Sequence, residues 1–434
     1  MSDEKIAKAA AAAADLISET KGGAEQVVTR ACQRREIKLS ELQQLAKING
    51  RTAKACARRY LASRSVRIAG AHEAWTRLAP KPLKDQPVPF EEIVHAGLRL
   101  NMWNASSEPI FFRPSERLNG RMRYFPIRQI VETARDRVAF DVGKVLVELH
   151  PNQFLTRGPV HLHDWLQATL PKGAVVITTD IPSCYDTIKR SSVMRDVPLP
   201  GHVLKAVLMD TKERAVHLVK EPKGLTTVLV PYSGSSPLPF VDAGPSCRGI
   251  LIGSALASYA SEAVIKNILI AAEKAAPGVY AAAWGDNLII VLEDASDAAR
   301  VYAAVEFAVA HNFGMDVLDG LARRKVKTDL PDQFLFCGQW YKIKAGKLQW
   351  HTDPSRTEAA MLRLSMKVVE AKTPEDFQRI ERSMIGYVIA NRHMPSVITE
   401  YLKAAMEIGE TKITKLAEKL IDEAEPEGEL LETI

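Results

Sequence analysis

The chain has 434 residues, 46% of them hydrophobic and 25% charged, with a net charge of +6. This is a globular mix, which excludes collagen-like and disordered classes and allows two to four domains with sizeable cores. No apolar run reads as long enough to cross a bilayer, so no membrane partner is expected, and the mild positive excess favours polyanionic partners.

In chain order, MSDEKIAKAAAAAADLI mixes acids and bases and leads to Asp15, which reads as an N-terminal helix rather than a signal peptide. Residues 26–67 are rich in Arg and Lys. Leu39, Leu42, Leu45, Ala46 and Ile48 recur with a helical period, and Ser40 is placed to cap. Such a region suits phosphate contacts, and a solvated basic face explains the charge equally well. Ala79 to Phe90, APKPLKDQPVPF, reads as a linker.

Residues 91–170 mix helices and short strands. VVITTDI, Val175 to Ile181, is a β-branched strand. KAVLMDTKERAVHLVKEPKGLTTVLVPYSG reads as strands turning at Pro222-Lys223-Gly224. Ser254 to Ala276 is a long helix of small and apolar residues. GVYAAAWGDNLIIVLED is a hairpin. ASDAARVYAAVEFAVAHNF is a helix capped by Ser296. FLFCGQWYKIKAGKLQW is a second hairpin, turning at Ala345-Gly346. Beyond Pro354 the chain reads as helical up to an acidic tail. The five cysteines, Cys32, Cys56, Cys184, Cys247 and Cys337, form neither a zinc spacing nor a disulfide framework, which predicts a reducing, cytoplasmic setting.

Two strand-borne acids stand out. Asp180 closes VVITTD, and Asp286 sits at the turn of WGDNLIIV. Gly-Asp-Asn is good turn chemistry by itself. Two carboxylates brought together would repel unless a cation neutralised them. A hard ion such as Mg²⁺ takes one or two carboxylates plus substrate phosphates, and two such ions suit phosphoryl transfer.

The residues resemble the right-hand polymerases, above all reverse transcriptases of bacterial type, over roughly residues 110–350. TTDIPSCYDTI resembles their motif A, with Asp180, Tyr185 and Asp186. IGSALASYASEAV is similar to motif B, WGDNLIIV to motif C, and RRKVKTDLPDQFLFCGQWYKI to motifs D and E. RLNGRMRYFPIRQIVETARDRVAF resembles the fingers signature. The motifs come in family order.

The resemblance implies an α+β right-hand fold. It has a basic helical N-terminal region (1–80), fingers and palm with an antiparallel sheet (90–350), and a helical thumb with the acidic tail (355–434). It implies Mg²⁺ or Mn²⁺ at Asp180 and Asp286, with the amide oxygen of Asn287 beside them. Arg117 and Arg123 would grip a triphosphate. Tyr185 would lie under the incoming sugar, and Gly253 and Ser254 would border the nucleotide. Lys327, or Lys325, would protonate the pyrophosphate, and Phe336 and Gly338 would form the primer grip. The partners implied are an RNA template, a DNA or RNA primer and nucleoside triphosphates. A dedicated non-coding RNA or second protein is a further implied partner.

Three residues depart from the pattern. Asn287 replaces a second Asp, Trp284 replaces Tyr, and Ile252 replaces Gln. The activity implied is RNA-directed DNA synthesis, with antiphage defence as a biological setting by analogy alone. The alternatives are a viral RNA-dependent RNA polymerase, some of which carry Gly-Asp-Asn, and a catalytically weak nucleic-acid-binding scaffold.

Overall fold

A computed structural model of the chain describes residues 3–78, 87–104, 110–116, 122–127, 129–209, 215–217, 230–231, 248–250 and 253–353, with short pieces between 367 and 411. Arg117, the turn at Pro222-Lys223-Gly224, Cys247, Ile252 and most of the region after Pro354 lie outside the described residues. The chain forms two units. The first comprises Met1–Gly158, Thr179–Leu288 and Asp297–Lys325, and the second Pro159–Thr178, Ile289–Ser296 and Val326–Ile434.

The first unit begins with helices. The alanine run forms α1 (Asp3–Ser18), followed by α2 (Gly23–Ile48), α3 (Gly50–Ala62), α4 (Arg64–Leu78), α5 (Phe90–Arg99) and α6 (Ile130–Leu146). The expected cap at Ser40 is not one. α2 runs straight through it, because QRREIKL and ELQQLAK on either side are strong helix formers. α2 stops at Asn49, whose extended backbone turns the chain and whose Oδ1 accepts from Arg51 N (2.9 Å) and Thr52 N (3.3 Å) to start α3.

α4 packs against α2, α5 and α6. Leu42, Tyr60, Leu61, Ile68, Ile93 and Leu100 are buried. A Cβ at Gly97 would lie 2.5 Å from the Cα of Ile68, so glycine allows α5 to approach the α4 backbone this closely. Charge is buried here as well. Arg35 donates to Asp141 at 2.8 Å and to Glu73 at 2.7 Å, and the Tyr60 hydroxyl donates to the same Asp141 oxygen at 2.5 Å. Burial pushes the Asp141 carboxyl up while Arg35 and Tyr60 hold it down.

Strand β1 (Ile110–Glu116) pairs antiparallel with β2 (Met122–Ile127), which places Arg123 opposite Ser115. β1 also pairs in parallel with β4 (Ala215–His217), which pairs antiparallel with β5 (Val230–Pro231). Strand β3 (Val175–Asp180) is followed by short helices α8 (Cys184–Thr187), α9 (Arg190–Asp196) and α10 (Gly201–Leu204). Residues Lys205–Met209, expected as strand, form a turn of π-helix with Ala206 to Met209 buried. Their apolar run does not distinguish buried helix from strand.

The long apolar helix is α11 (Ala255–Ala275). Contrary to expectation, it is long and apolar enough to cross a membrane by length and composition alone, and most of its apolar stretch is buried within the protein. Leu256, Ala260, Val264, Ile265 and Leu269 are among its buried side chains. After it come β6 (Val279–Trp284) and β7 (Asn287–Leu292), then α12 (Ala298–Asn312) and α13 (Leu318–Arg324). Ser296 does not cap α12. A 3₁₀ turn, Ala295–Asp297, precedes the helix, and the Ser296 N–H is itself held by Asp294 at 2.8 Å. The central sheet has the order β6-β7-β3-β8, with β8 spanning Val326–Asp329. Its β3 is flanked on both edges, and Val175, Val176 and Ile177 are fully buried.

In the second unit, α7 (Pro159–Thr169) packs on a three-stranded sheet of β9 (Phe334–Phe336), β10 (Gln339–Lys344) and β11 (Lys347–Thr352). The hairpin turns at Ala345-Gly346 as expected, both with positive φ (50° and 72°). Gln167 of α7 clasps that hairpin by donating to Gly346 O (2.9 Å) and accepting from Leu348 N (2.6 Å). The architecture of the described residues is thus mixed, α+β.

Candidate active site

The site starts from two local choices of backbone. Gly285 at φ 60° takes the first place of the two-residue turn between β6 and β7, as a type II′ hairpin requires, and so sets Asp286 at the tip. At the end of β3 the chain leaves the sheet through Pro182 and Ser183, and Ser183 adopts a left-handed φ of 49° before α8 begins. A non-glycine residue there is uncommon, and such strain concentrates at functional sites.

These two strand ends meet. Ile181 N donates to Asp286 O at 2.9 Å. The expected acids Asp180 and Asp286 therefore stand on neighbouring strand ends, and both are half-buried. Asn287 follows, with its amide nitrogen donating to Asp286 Oδ1 at 3.2 Å and to Trp284 O at 3.4 Å. Arg324, the last residue of α13, donates to Asp180 Oδ2. α13 is held over this end of β3, where Thr179 Oγ1 donates to Leu321 O at 3.1 Å.

The field of the acids reaches the residues after β3. The buried Cys184 thiol is pushed well up, by burial first and then by Asp286 and Asp186. Tyr185 is also pushed up. Burial is the largest cause, Ser258 and Ser261 oppose it, and Cys184 and Asp286 add to it. The Tyr185 hydroxyl lies 3.4 Å from Ser258 Oγ on α11. The segment Arg248–Ile250 is tied to the same place, with Gly249 N donating to Ile188 O and Ile250 N to Tyr185 O, both at 2.8 Å.

Gly253 has a φ of 82° and Ser254 follows it. The Ser254 hydroxyl is buried, accepts from Ala257 N at 3.3 Å and donates to Asp136. Asp136 also accepts from Ala255 N (2.8 Å) and Leu256 N (3.3 Å), so a carboxylate from α6 closes the start of α11. Of the two lysines, Lys325 has its ammonium 3.5 Å from the Tyr302 ring centroid. Lys327 is exposed on β8, opposite Ile177. In the second unit, Phe336 is buried and Gly338 (φ 78°) leads into β10.

Asp180, Tyr185, Asp186, Asp286 and Asn287 thus come together in the first unit. Two residues joined to the site were not anticipated. Arg324 is one of a run of cations, RRK, and nothing in that run singles it out. Asp136 lies in the DRVAF stretch already noted for its motif, although its capping role needs the fold. Among the described residues no group of three or more His, Cys, Asp or Glu side chains is placed to hold a metal alone. The donor set of two carboxylates and an amide fits an ion that completes its shell with substrate phosphates. The guanidinium on Asp180 already meets the demand for positive charge there.

No protein-family model matches the chain, and no curated protein matches it. Among solved structures it is similar to an apo telomerase from Candida tropicalis truncated from its C-terminal domain. The identity is 10%, the TM-score is 0.38, and the match covers 56% of this chain and 56% of that one. The chain therefore matches just over half the length of that structure, and a likeness this low assigns no fold family.

Proposed function

We propose that the chain is a right-hand polymerase that transfers nucleotides onto a primer under the direction of an RNA template, making DNA. The observation that carries this reading is the Ile181–Asp286 backbone bond, which sets Asp180 and Asp286 on adjoining strand ends. The order of the surrounding motifs supports it.

In this reading Asp180 and Asp286 hold Mg²⁺ or Mn²⁺, which would lower the pKa of a primer hydroxyl and offset charge on the transferring phosphate. Asn287 orients Asp286 through its amide N–H. Tyr185, braced by Ser258, forms the floor beneath the sugar and disfavours a 2′-hydroxyl. Gly253 and Ser254 shape the start of α11 beside the nucleotide. Arg117 and Arg123 receive the triphosphate, Lys327 returns a proton to pyrophosphate, and Phe336 with Gly338 supports the primer strand. Arg324 neutralises Asp180 until a cation replaces it.

The test is nucleotide incorporation by the purified chain with Mg²⁺ or Mn²⁺ on a primed RNA template. Labelled dNTPs and NTPs are supplied in parallel, with Asp286→Ala as control. The expected result is polymer from dNTPs that disappears in the variant. Polymer mainly from NTPs would move the reading to an RNA-dependent RNA polymerase. Polymer from neither, with copurifying nucleic acid restored, would leave a binding scaffold.

A further inference from the structure

Away from the acidic pair, α3 carries four cations and no acid in GRTAKACARRYLA. Arg51, Lys54 and Arg58 are spaced three and four apart, so they share one face, and all three are exposed. The opposite face is buried through Ala53, Cys56, Ala57 and Tyr60, which fixes the direction of the basic ridge.

Beside the ridge lies a cavity of about 600 Å³, lined by Arg51 and Lys54, by Lys266 and Asn267 of α11, and by Glu148 and Asp196. The acids are already engaged. Asp196 accepts from Arg195 and from Asn267, each at 2.7 Å. Glu148 faces Lys266 at 3.5 Å with its side chain 90% exposed. Among the described residues the Arg51 and Lys54 side chains have no ion-pair or hydrogen-bond partner. The amides of Arg51 and Thr52 are taken by Asn49, so the attraction comes from side chains and not from an open helix end.

We propose that this cavity binds the phosphate backbone of a nucleic-acid strand, with Arg51 and Lys54 as its ligands and Arg58 as the next contact along. Two observations favour a strand over a single nucleotide. The cations extend over eight residues of helix, Arg51 to Arg58, about 10 Å, which suits consecutive phosphates. The lining has no aromatic ring on which a base could stack. Contacts to phosphate without base contacts give binding that is strongly salt-dependent and tolerant of sequence. The identity of the ligand rests on the reading of the chain as a nucleic-acid enzyme, but the site does not depend on catalysis.

The test is anisotropy of a short labelled single-stranded RNA titrated with the full chain, without nucleotides, over a range of salt. Arg51→Glu with Lys54→Glu is expected to weaken binding at least about tenfold. It should also flatten the slope of log Kd against log salt by about 1.4, or about 0.7 for each lost phosphate contact. Lys8→Glu with Lys21→Glu makes the same change of charge at exposed positions elsewhere and should leave binding within about twofold. The milder Arg51→Ala with Lys54→Ala should act in the same direction, with an unchanged thermal transition showing that the fold holds.

Equal weakening by both reversals, no effect of the Arg51 and Lys54 changes, or no RNA binding by the native chain overturns the proposal. So does displacement of the RNA by micromolar nucleoside triphosphate that is lost in the Arg51 and Lys54 variant, because the cavity is then a nucleotide site. If no form makes polymer while groove-dependent binding persists, the polymerase reading falls and this site stands.

Discussion

Two carboxylate centres of the first unit are built on opposite plans. Asp141 is buried and surrounded by its own counter-groups, Arg35 and the Tyr60 hydroxyl, drawn from α2 and α3. Asp180 and Asp286 stand half-buried at strand ends, with one partly exposed guanidinium on Asp180, and the charge of Asp286 extends to Cys184 and Tyr185. The first centre is compensated from within. The second is paired at Asp180 by a guanidinium that touches solvent, and in the proposed reading it would take a cation and a phosphate from outside. In that reading a carboxylate that serves the fold is matched internally, and one that serves chemistry is paired where solvent and a ligand can compete.

The largest expected effect lies at the open centre. Asp180→Asn should lower nucleotide incorporation about a hundred- to a thousandfold, on the scale of one lost electrostatic contact to the transition state. Its unfolding midpoint in urea should stay close to native. A large fall in stability with activity retained would reverse the contrast between the two centres. At the closed centre Arg35→Met leaves Asp141 buried with less compensation. It should cost about 3–5 kcal/mol in urea unfolding.

Glu262 tests the contrast from a third position. It is buried on α11, neither of its carboxylate oxygens has a partner among the described residues, and burial pushes it up to about 7. Between an unfolded value near 4.5 and the folded value, the native state holds a proton that the unfolded state has released. Stability is therefore full below that window and falls as pH rises through it, by about 3 kcal/mol in all. Glu262→Gln should remove the slope in unfolding experiments run from pH 4 to pH 8; the same slope in the variant would assign it to another group. The smallest effect is at the surface pair. Arg324→Met should change stability by less than about 1 kcal/mol, because both partners touch solvent. It should also lower the Mg²⁺ concentration that half-saturates incorporation. A higher requirement would mean that Arg324 assists the ion.

What was legible in the sequence was what short stretches decide for themselves. The β-branched run of β3, the Gly285 turn, the apolar length of α11 and the Ala345-Gly346 hairpin all depend on neighbours within a few residues. Ser40 and Ser296 show where that reasoning fails, since each sits where a cap is plausible but the flanking residues or another acid take over. The contacts that complete the site are of another kind. Arg324 reaches Asp180 across 144 positions and Asp136 reaches Ser254 across 118, and no local pattern distinguishes these residues from the cations and acids beside them.

The corner at Asn49 also bears on how the chain ages. Asn followed by Gly is the pair whose side-chain amide is most open to attack by the next backbone nitrogen, with loss of ammonia. Here the Asn49 oxygen is held by two amides at the head of α3, so deamidation has to wait until the corner opens. The rate at which Asn49 becomes Asp, followed by mass on stored protein, is then a clock for the fraying of α3. The charge it creates would lie next to Arg51.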